Sequence, residues 1–270
     1  IQGLTEFLPV SSSGHLAIFK NIFHVSTDTG LLYDVLLHIA TLVAICVVYW
    51  KDVKELFVNG CCMVGLWVSN AGRWIANCFR KKEQRIAYKP VLTTPYRRFV
   101  LMILISTVPT GIRGILLEKV IGSASEVLLL PGICLILTSG LLFLADRVTA
   151  GDKTEATATY KDSLIVGVAQ GFATLPGLSR SGTTITACLI AGFNKEFAVK
   201  YSFIMSIPAI LGAMVLELKD FTMADLTGGV IWNYLAGMLV AGIVGYICIK
   251  TMLLVVKKNK FTIFSVYCLI

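Results

Sequence analysis

Charge is what this sequence has least of. Asp, Glu, Lys and Arg make up 15% of its 270 residues, against about 25% in soluble domains. Histidine occurs three times. No Cys-x-x-Cys spacing occurs among Cys46, Cys61, Cys62, Cys78, Cys134, Cys188, Cys248 and Cys268, and several lie in apolar stretches. They read as buried, inert thiols. No signal peptide is recognisable. The chain opens at Ile1 without a Met and stops at Ile270 inside an apolar run, so both ends read as trimmed. These shortages exclude a disordered chain, a secreted disulfide scaffold and a DNA-binding domain.

What is abundant is apolar. Hydrophobic residues are 56% and mean hydropathy is +0.78. A soluble globule could not hide that much apolar surface, so the chain reads as an integral membrane protein. The net charge of +8 then has a membrane explanation and does not point to nucleic acid.

A spanning helix needs about 20 mostly apolar residues. Candidates are 31–50, 98–117, 127–146, 197–218, 228–249 and 261 onward. Residues 1–24 and 162–193 are apolar but broken by Pro, Gly and Ser. Broken segments at membrane depth are tolerated where they line a cavity or are buried in protein. Each reads as a re-entrant helix–turn–helix. Residues 52–80 read as an interfacial amphipathic segment. Nineteen of the 24 Lys and Arg fall in 51–98, 147–161 and 250–260 or at Lys195 and Lys200. The positive-inside rule puts these in the cytoplasm, where the clusters at 73–98 and 250–260 attract anionic head groups. Lys20, Lys119 and Lys219 fall on the other side.

The sequence also repeats itself. QGLTEFLPVSSSG at 2–14 and QGFATLPGLSRSG at 170–182 share one offset that pairs Gln2 with Gln170, Gly3 with Gly171, Ser11 with Ser179, Ser13 with Ser181 and Gly14 with Gly182. The same offset pairs Tyr33 with Tyr201, Ile39 with Ile207 and His38 with Ser206. The loop charges give the two copies opposite orientations. The expected fold is therefore an all-α, polytopic membrane protein. It has an inverted-topology repeat whose two re-entrant hairpins meet near the midplane. One membrane domain spans 1–270, with one repeat at about 1–117 and the other at about 162–250.

Charge inside a membrane is costly, so each instance is a functional candidate. Glu6 lies in the first broken segment. Arg180 lies in the second, at the position equivalent to Ser12. The repeat brings these opposite charges toward one point. A buried ion pair locking the hairpins is one reading. The other is an anion site, because Ser11, Ser12, Ser13, Ser179, Ser181, Gly182, Thr183 and Thr184 supply more hydrogen-bonding groups than one pair needs. Helix N-termini and a planar guanidinium suit phosphate oxygens. His15 follows the serine turn, beside Ser12 and Glu6, and can serve as base or nucleophile. His24 reads as a satisfied interior residue. Asp34 and His38 are one turn apart and share a face, which suits residues that support a site from behind.

The stretches QGLTEFLPVSSSGH at 2–15 and PGLSRSG at 176–182 resemble the two signatures of the bacterial undecaprenyl-diphosphatase family, the bacitracin-resistance membrane phosphatases. YDVLLH at 33–38 resembles that family's third recurrent segment. The resemblance runs along the chain, missing only its ends. It implies hydrolysis of undecaprenyl diphosphate to the monophosphate carrier that cell-wall synthesis reuses. By position it assigns the family's carboxylate to Glu6, its serine to Ser12, its histidine to His15 and its arginine to Arg180. It also implies a divalent cation, Mg²⁺ or Ca²⁺, on Glu6 with Gln2 assisting. Gln2 stands at the family's Glu-or-Gln position, and Ala40 stands where relatives often have Gly. The polyprenyl diphosphate partner would enter sideways from the membrane lipids, with the site open to the outer face. No nucleic acid is implied, and a homo-oligomer is left open. The main alternative is a transporter or flippase of polyprenyl phosphate lipids, which needs midplane charges but no nucleophile. A second membrane-phosphatase class carries Ser-Gly-His and Ser-Arg motifs, but it requires a His six residues after the Arg, where this chain has Thr186.

Overall fold

The structure, a computed structural model, describes residues 1–23, 31–125, 129–217 and 228–270, apart from the side chains of some residues bordering the gaps, Asp34 among them. It is all-α: α1 (Gln2–Thr5), α2 (Ser12–Phe23), α3 (Leu31–Val48), α4 (Trp50–Cys78), α5 (Pro95–Ser125), α6 (Leu129–Arg147), α7 (Tyr160–Phe172), α8 (Arg180–Ile190), α9 (Lys195–Glu217), α10 (Gly228–Lys257) and α11 (Phe261–Leu269). Among the described residues there is no β-strand. In their described parts the expected spans fall on helices. α6, α9 and α10 are long and apolar enough to cross a membrane. The protein is a polytopic α-helical membrane protein.

Both broken segments are helical hairpins. In each, a serine ahead of the second helix accepts an amide from the first turn: Gly14 N–H donates to Ser11 Oγ at 3.2 Å, and Gly182 N–H donates to Ser179 Oγ at 3.1 Å. These N-caps satisfy amides the helix leaves without partners, which is why Ser-x-x-Gly starts a helix at both places. Ser11 has φ 67°, the left-handed region that costs a residue with a Cβ about 1–2 kcal/mol.

The hairpin arms pack crosswise. α1 lies against α10 and α7 against α5, while α3 contacts both α9 and α10, and α9 also contacts α5. α1 thus packs on the last long helix of the chain and α7 on the helix that ends just before α6. α6 lies against α2 and α8 and backs both turns. Thr138 Oγ1 accepts Ser179 N–H at 3.0 Å. At Gly177, with φ 91°, a Cβ would lie 2.3 Å from the carbonyl oxygen of Pro131, so only glycine lets this turn reach α6.

α4 leaves α3 at 94°. If α3 crosses the membrane, α4 runs along its surface. Phe57, Val64, Trp67 and Trp74 of α4 are exposed. The cysteine expectation holds for Cys134, Cys188, Cys248 and Cys268, but Cys61, Cys62 and Cys78 are exposed, because they lie on this outlying helix. His24 lies outside the described residues.

Candidate active site

The two hairpin turns meet. Gly177 N–H donates to Ser13 Oγ at 3.1 Å, Ser181 Oγ donates to the Leu8 carbonyl at 3.4 Å, and Gly14 sits against Gly177. At this junction Arg180 Nη2 pairs with Glu6 Oε1. The other carboxylate oxygen, Oε2, accepts from Ser12 Oγ at 3.0 Å and from Gln2 Nε2 at 3.1 Å. Glu6 is 8% exposed, so its charge is held by three donors rather than by water, as a buried carboxylate requires.

A cavity of about 380 Å³ opens over this pair, lined by Gln2, Glu6, Ser11, Ser12, Ser13, His38, Ser179 and Arg180. A second cavity, about 390 Å³, shares His38, Thr174, Arg180 and Ala213 with the first. Its remaining wall is largely apolar and small: Gly111, Gly114, Pro208, Ile210, Gly212 and Leu216. A polar chamber and an apolar chamber therefore meet at Arg180. Gly14 and Gly182 N–H are taken by their caps, but Ser12, Ser13 and Arg180, which line this cavity, open their helices without intrahelical acceptors for their amides, so the polar chamber can grip an anion through N–H groups and guanidinium together.

Not every expected residue reaches this cavity. Thr184 Oγ1 donates to the Arg180 carbonyl at 2.8 Å and meets Ser202 Oγ at 2.6 Å. Thr183 is 7% exposed. Ser181 faces the Leu8 carbonyl, and Gly182 packs beside Leu142 and Pro9. None of these four lines the polar cavity. Ser181 and Gly182 are turned about 100° and 200° from Arg180 around α8, while Thr184, one turn further along the face of Arg180, is drawn to Ser202 on α9.

The expected placement of His15 beside Ser12 and Glu6 also needs correction. Its Nδ1 lies 2.8 Å from the Ser11 carbonyl oxygen, and its Nε2 lies 2.8 Å from Tyr267 Oη on α11. The Ser11 carbonyl, turned by the left-handed backbone, draws the ring back over α2, and Tyr267 holds it there. The ring lines a different cavity, beside Leu129 and Ile133. His38 lines both chambers. Its expected contact with Asp34 lies outside the described residues.

Sequence reasoning missed Gln170, fully buried and donating from Nε2 to Thr110 Oγ1 at 3.1 Å. It lines the apolar cavity. The repeat was the available signal, because Gln170 is the counterpart of Gln2. Tyr267 and Thr174 had none.

Among the described residues, no three His, Cys, Asp or Glu side chains gather as a metal cluster. A hard cation such as Mg²⁺ needs less, because it is commonly held by one or two carboxylates and substrate phosphates, with waters completing the shell. The Glu6 carboxylate and the Gln2 amide oxygen are oxygen donors of that kind on one cavity wall.

The family profile described as bacitracin resistance protein BacA matches residues 1–270. The chain is 38% identical over 270 residues to the undecaprenyl-diphosphatase of Methanosphaera stadtmanae, covering all of this chain and 91% of that protein. It is 39% identical over 270 residues to that of Methanobrevibacter smithii, covering 99% of this chain and 90% of the relative. For that of Halothermothrix orenii the figure is 37% over 268 residues, again 99% and 90%. Matched from end to end, and with its two signature turns joined around Glu6 and Arg180, the chain belongs to the bacitracin resistance protein BacA family.

Proposed function

We infer that this chain is an undecaprenyl-diphosphatase. It hydrolyses undecaprenyl diphosphate with water to undecaprenyl phosphate and inorganic phosphate, and so returns the lipid carrier to cell-wall synthesis. The observation that carries this reading is the junction at Arg180 of a polar chamber with an apolar one. A diphosphate head fits the first and the start of a prenyl chain fits the second. The relatives' names support a phosphatase, and the transporter reading is not favoured.

In the proposed reaction Arg180 turns from Glu6 to the phosphates and, with first-turn amides, balances the charge that moves onto the leaving oxygen. The exchange frees Glu6. The Ser12 hydroxyl already donates to Glu6 Oε2, so Glu6 is the group placed to take a proton from Ser12, or from a water held beside it, as the new P–O bond forms and the P–O bond to undecaprenyl phosphate breaks; where Ser12 attacks, a water then hydrolyses the phosphoserine to inorganic phosphate. His15 acts from behind the turn, through the Ser11 carbonyl. A divalent cation on Glu6 and Gln2 would further neutralise the diphosphate oxygens. We further propose that the chain is built from two inverted repeats, about 1–117 and 162–250, with its basic loops cytoplasmic and its site open to the outer face.

The test is phosphate release from undecaprenyl diphosphate by purified protein in detergent, with Mg²⁺ or Ca²⁺ and with chelator. Release that needs the metal and is lost in Ser12→Ala and Arg180→Ala is expected. No release by folded protein overturns the reaction. Full release by the variants overturns the site. Release undiminished by chelator removes the cation.

A further inference from the structure

The reaction just proposed leaves one polar contact unused. Tyr267 lies on α11, 252 residues after His15, and its hydroxyl is 2.8 Å from His15 Nε2. The two rings lie parallel, 2° apart, with centroids 5.5 Å from each other. The surroundings are apolar: Ile18, Leu129, Ile133, Ile136 and Leu269 line the same cavity. Tyr267 is 55% exposed, so the contact rests on the fit of its hydroxyl to the ring nitrogen and not on burial.

The direction of the bonds follows from chemistry. A carbonyl oxygen only accepts, so His15 Nδ1 carries the proton that it shares with Ser11 O. In a neutral imidazole Nε2 is then an acceptor, and Tyr267 Oη–H donates to it. The chain runs from the Tyr267 hydroxyl through the imidazole to the Ser11 carbonyl. Ser11 holds φ 67°, precedes Ser12 and caps α2 through Gly14 N–H. Its orientation therefore sets where the Ser12 hydroxyl points.

α11 is itself a fixed reference. Phe261 N–H and Thr262 N–H donate to the Asp146 carboxylate at 2.8 and 2.6 Å. Ser265 Oγ donates to the Ser139 carbonyl at 2.8 Å. Both partners belong to α6, which also holds the second hairpin turn through Thr138 and Ser179. α6 thus ties the Arg180 turn directly, and the Ser12 turn through α11.

We propose that Tyr267 is a positioning residue for the proposed phosphatase reaction: by donating to Nε2 of the His15 imidazole, whose Nδ1–H is bound to the Ser11 carbonyl, it fixes the ring and holds the strained Ser11 turn and with it the Ser12 hydroxyl against Glu6. The inference rests on the reading of the Ser12 cavity as the active site. It concerns placement, so it predicts a loss in kcat with KM unchanged, because Arg180 and the amides still grip the phosphates.

The experiment uses the full chain with ¹⁵N-labelled histidine, and Tyr267→Phe, which keeps the ring and removes only the hydroxyl. The His15 resonances are those lost in His15→Ala. In the unsubstituted protein His15 is expected as the Nδ1–H tautomer. In Tyr267→Phe the Ser11 carbonyl still holds the proton on Nδ1, and the ¹⁵N resonance of Nε2 moves toward that of an unbonded ring nitrogen, because its donor is gone. Phosphate release in Tyr267→Phe falls about five- to tenfold in kcat, the loss of one neutral hydrogen bond. In a His15→Ala background the same change has no further effect, because residues acting through one another are not additive. An unchanged Nε2 resonance, an unchanged kcat, a loss that appears in KM alone, or an undiminished effect in the His15→Ala background each overturns the proposal. Normal turnover in Ser12→Ala and Arg180→Ala overturns the site reading instead, and the Nε2 resonance still decides whether Tyr267 fixes His15.

Discussion

Two roles for the Glu6–Arg180 pair, lock or catalytic centre, separate in one double substitution. Glu6 is almost fully buried, its side chain 4% exposed, while 26% of the Arg180 side chain remains exposed on the cavity wall. Removing one partner of a buried pair costs about 3–5 kcal/mol. Arg180→Met leaves the Glu6 carboxylate with only Gln2 and Ser12 as donors. The partial exposure of the pair puts the cost near the lower end, ~3 kcal/mol, which lowers Tm by roughly 6–12 °C. Glu6→Gln strands a guanidinium that can still turn into the cavity, so its cost is smaller, about 1–2 kcal/mol. The double variant Glu6→Gln/Arg180→Met removes both charges at nearly constant volume and is expected within about 1 kcal/mol of the unsubstituted stability. Activity is expected to behave differently. Glu6→Gln loses about 10²–10⁴ in phosphate release, the contribution of a positioned base, and the double variant recovers none of it. Thermal unfolding in detergent, paired with phosphate release per folded molecule, reads both quantities. If the double variant regains activity together with stability, the pair is a lock and its catalytic assignment is wrong.

Three other outcomes follow from the geometry. Gly177→Ala places a methyl 2.3 Å from the Pro131 carbonyl oxygen at a positive φ, so it is expected to destabilise by more than 2 kcal/mol; unfolding near the unsubstituted temperature counts against the tight turn-to-α6 contact. Gly114 lines the apolar chamber, and a Cβ there meets nothing within 4 Å. Gly114→Leu should therefore fold, gain about 0.5–1 kcal/mol of helix propensity and raise KM for undecaprenyl diphosphate far more than for a short prenyl diphosphate. An equal change for both substrates refutes the chamber as the prenyl path. Cysteines placed at Lys153 and Lys219 should label from opposite sides of intact cells, and equal labelling from outside refutes the proposed orientation.

Much of the architecture was legible because its signals are local. Apolar runs mark helices, and Ser-x-x-Gly announces the N-caps that begin α2 and α8. An apolar segment broken by Pro, Gly and Ser has few uses in a membrane other than a buried turn. The repeat added one long-range fact, that Glu6 and Arg180 approach each other, and the ion pair bears it out. A cap, a turn and an apolar period each act over a few residues, so one chain is enough to read them.

The rest depended on how helices rotate against distant partners. Nothing around residues 181–184 indicates that Thr184 turns to Ser202 and leaves the cavity to Arg180, because packing on α9 sets the rotation of α8. His15 looked like a neighbour of Ser12, yet the left-handed Ser11 and a tyrosine 252 residues away decide its direction. α6, which carries no motif, proved to be the frame on which both turns and α11 are held. The sequence alone therefore determined the class of the protein, its hairpins and the charges at their meeting point. Only the tertiary structure decided which side chains share the cavity, because one residue of helix rotation moves a side chain through about 100°, and contacts far apart in sequence choose that rotation.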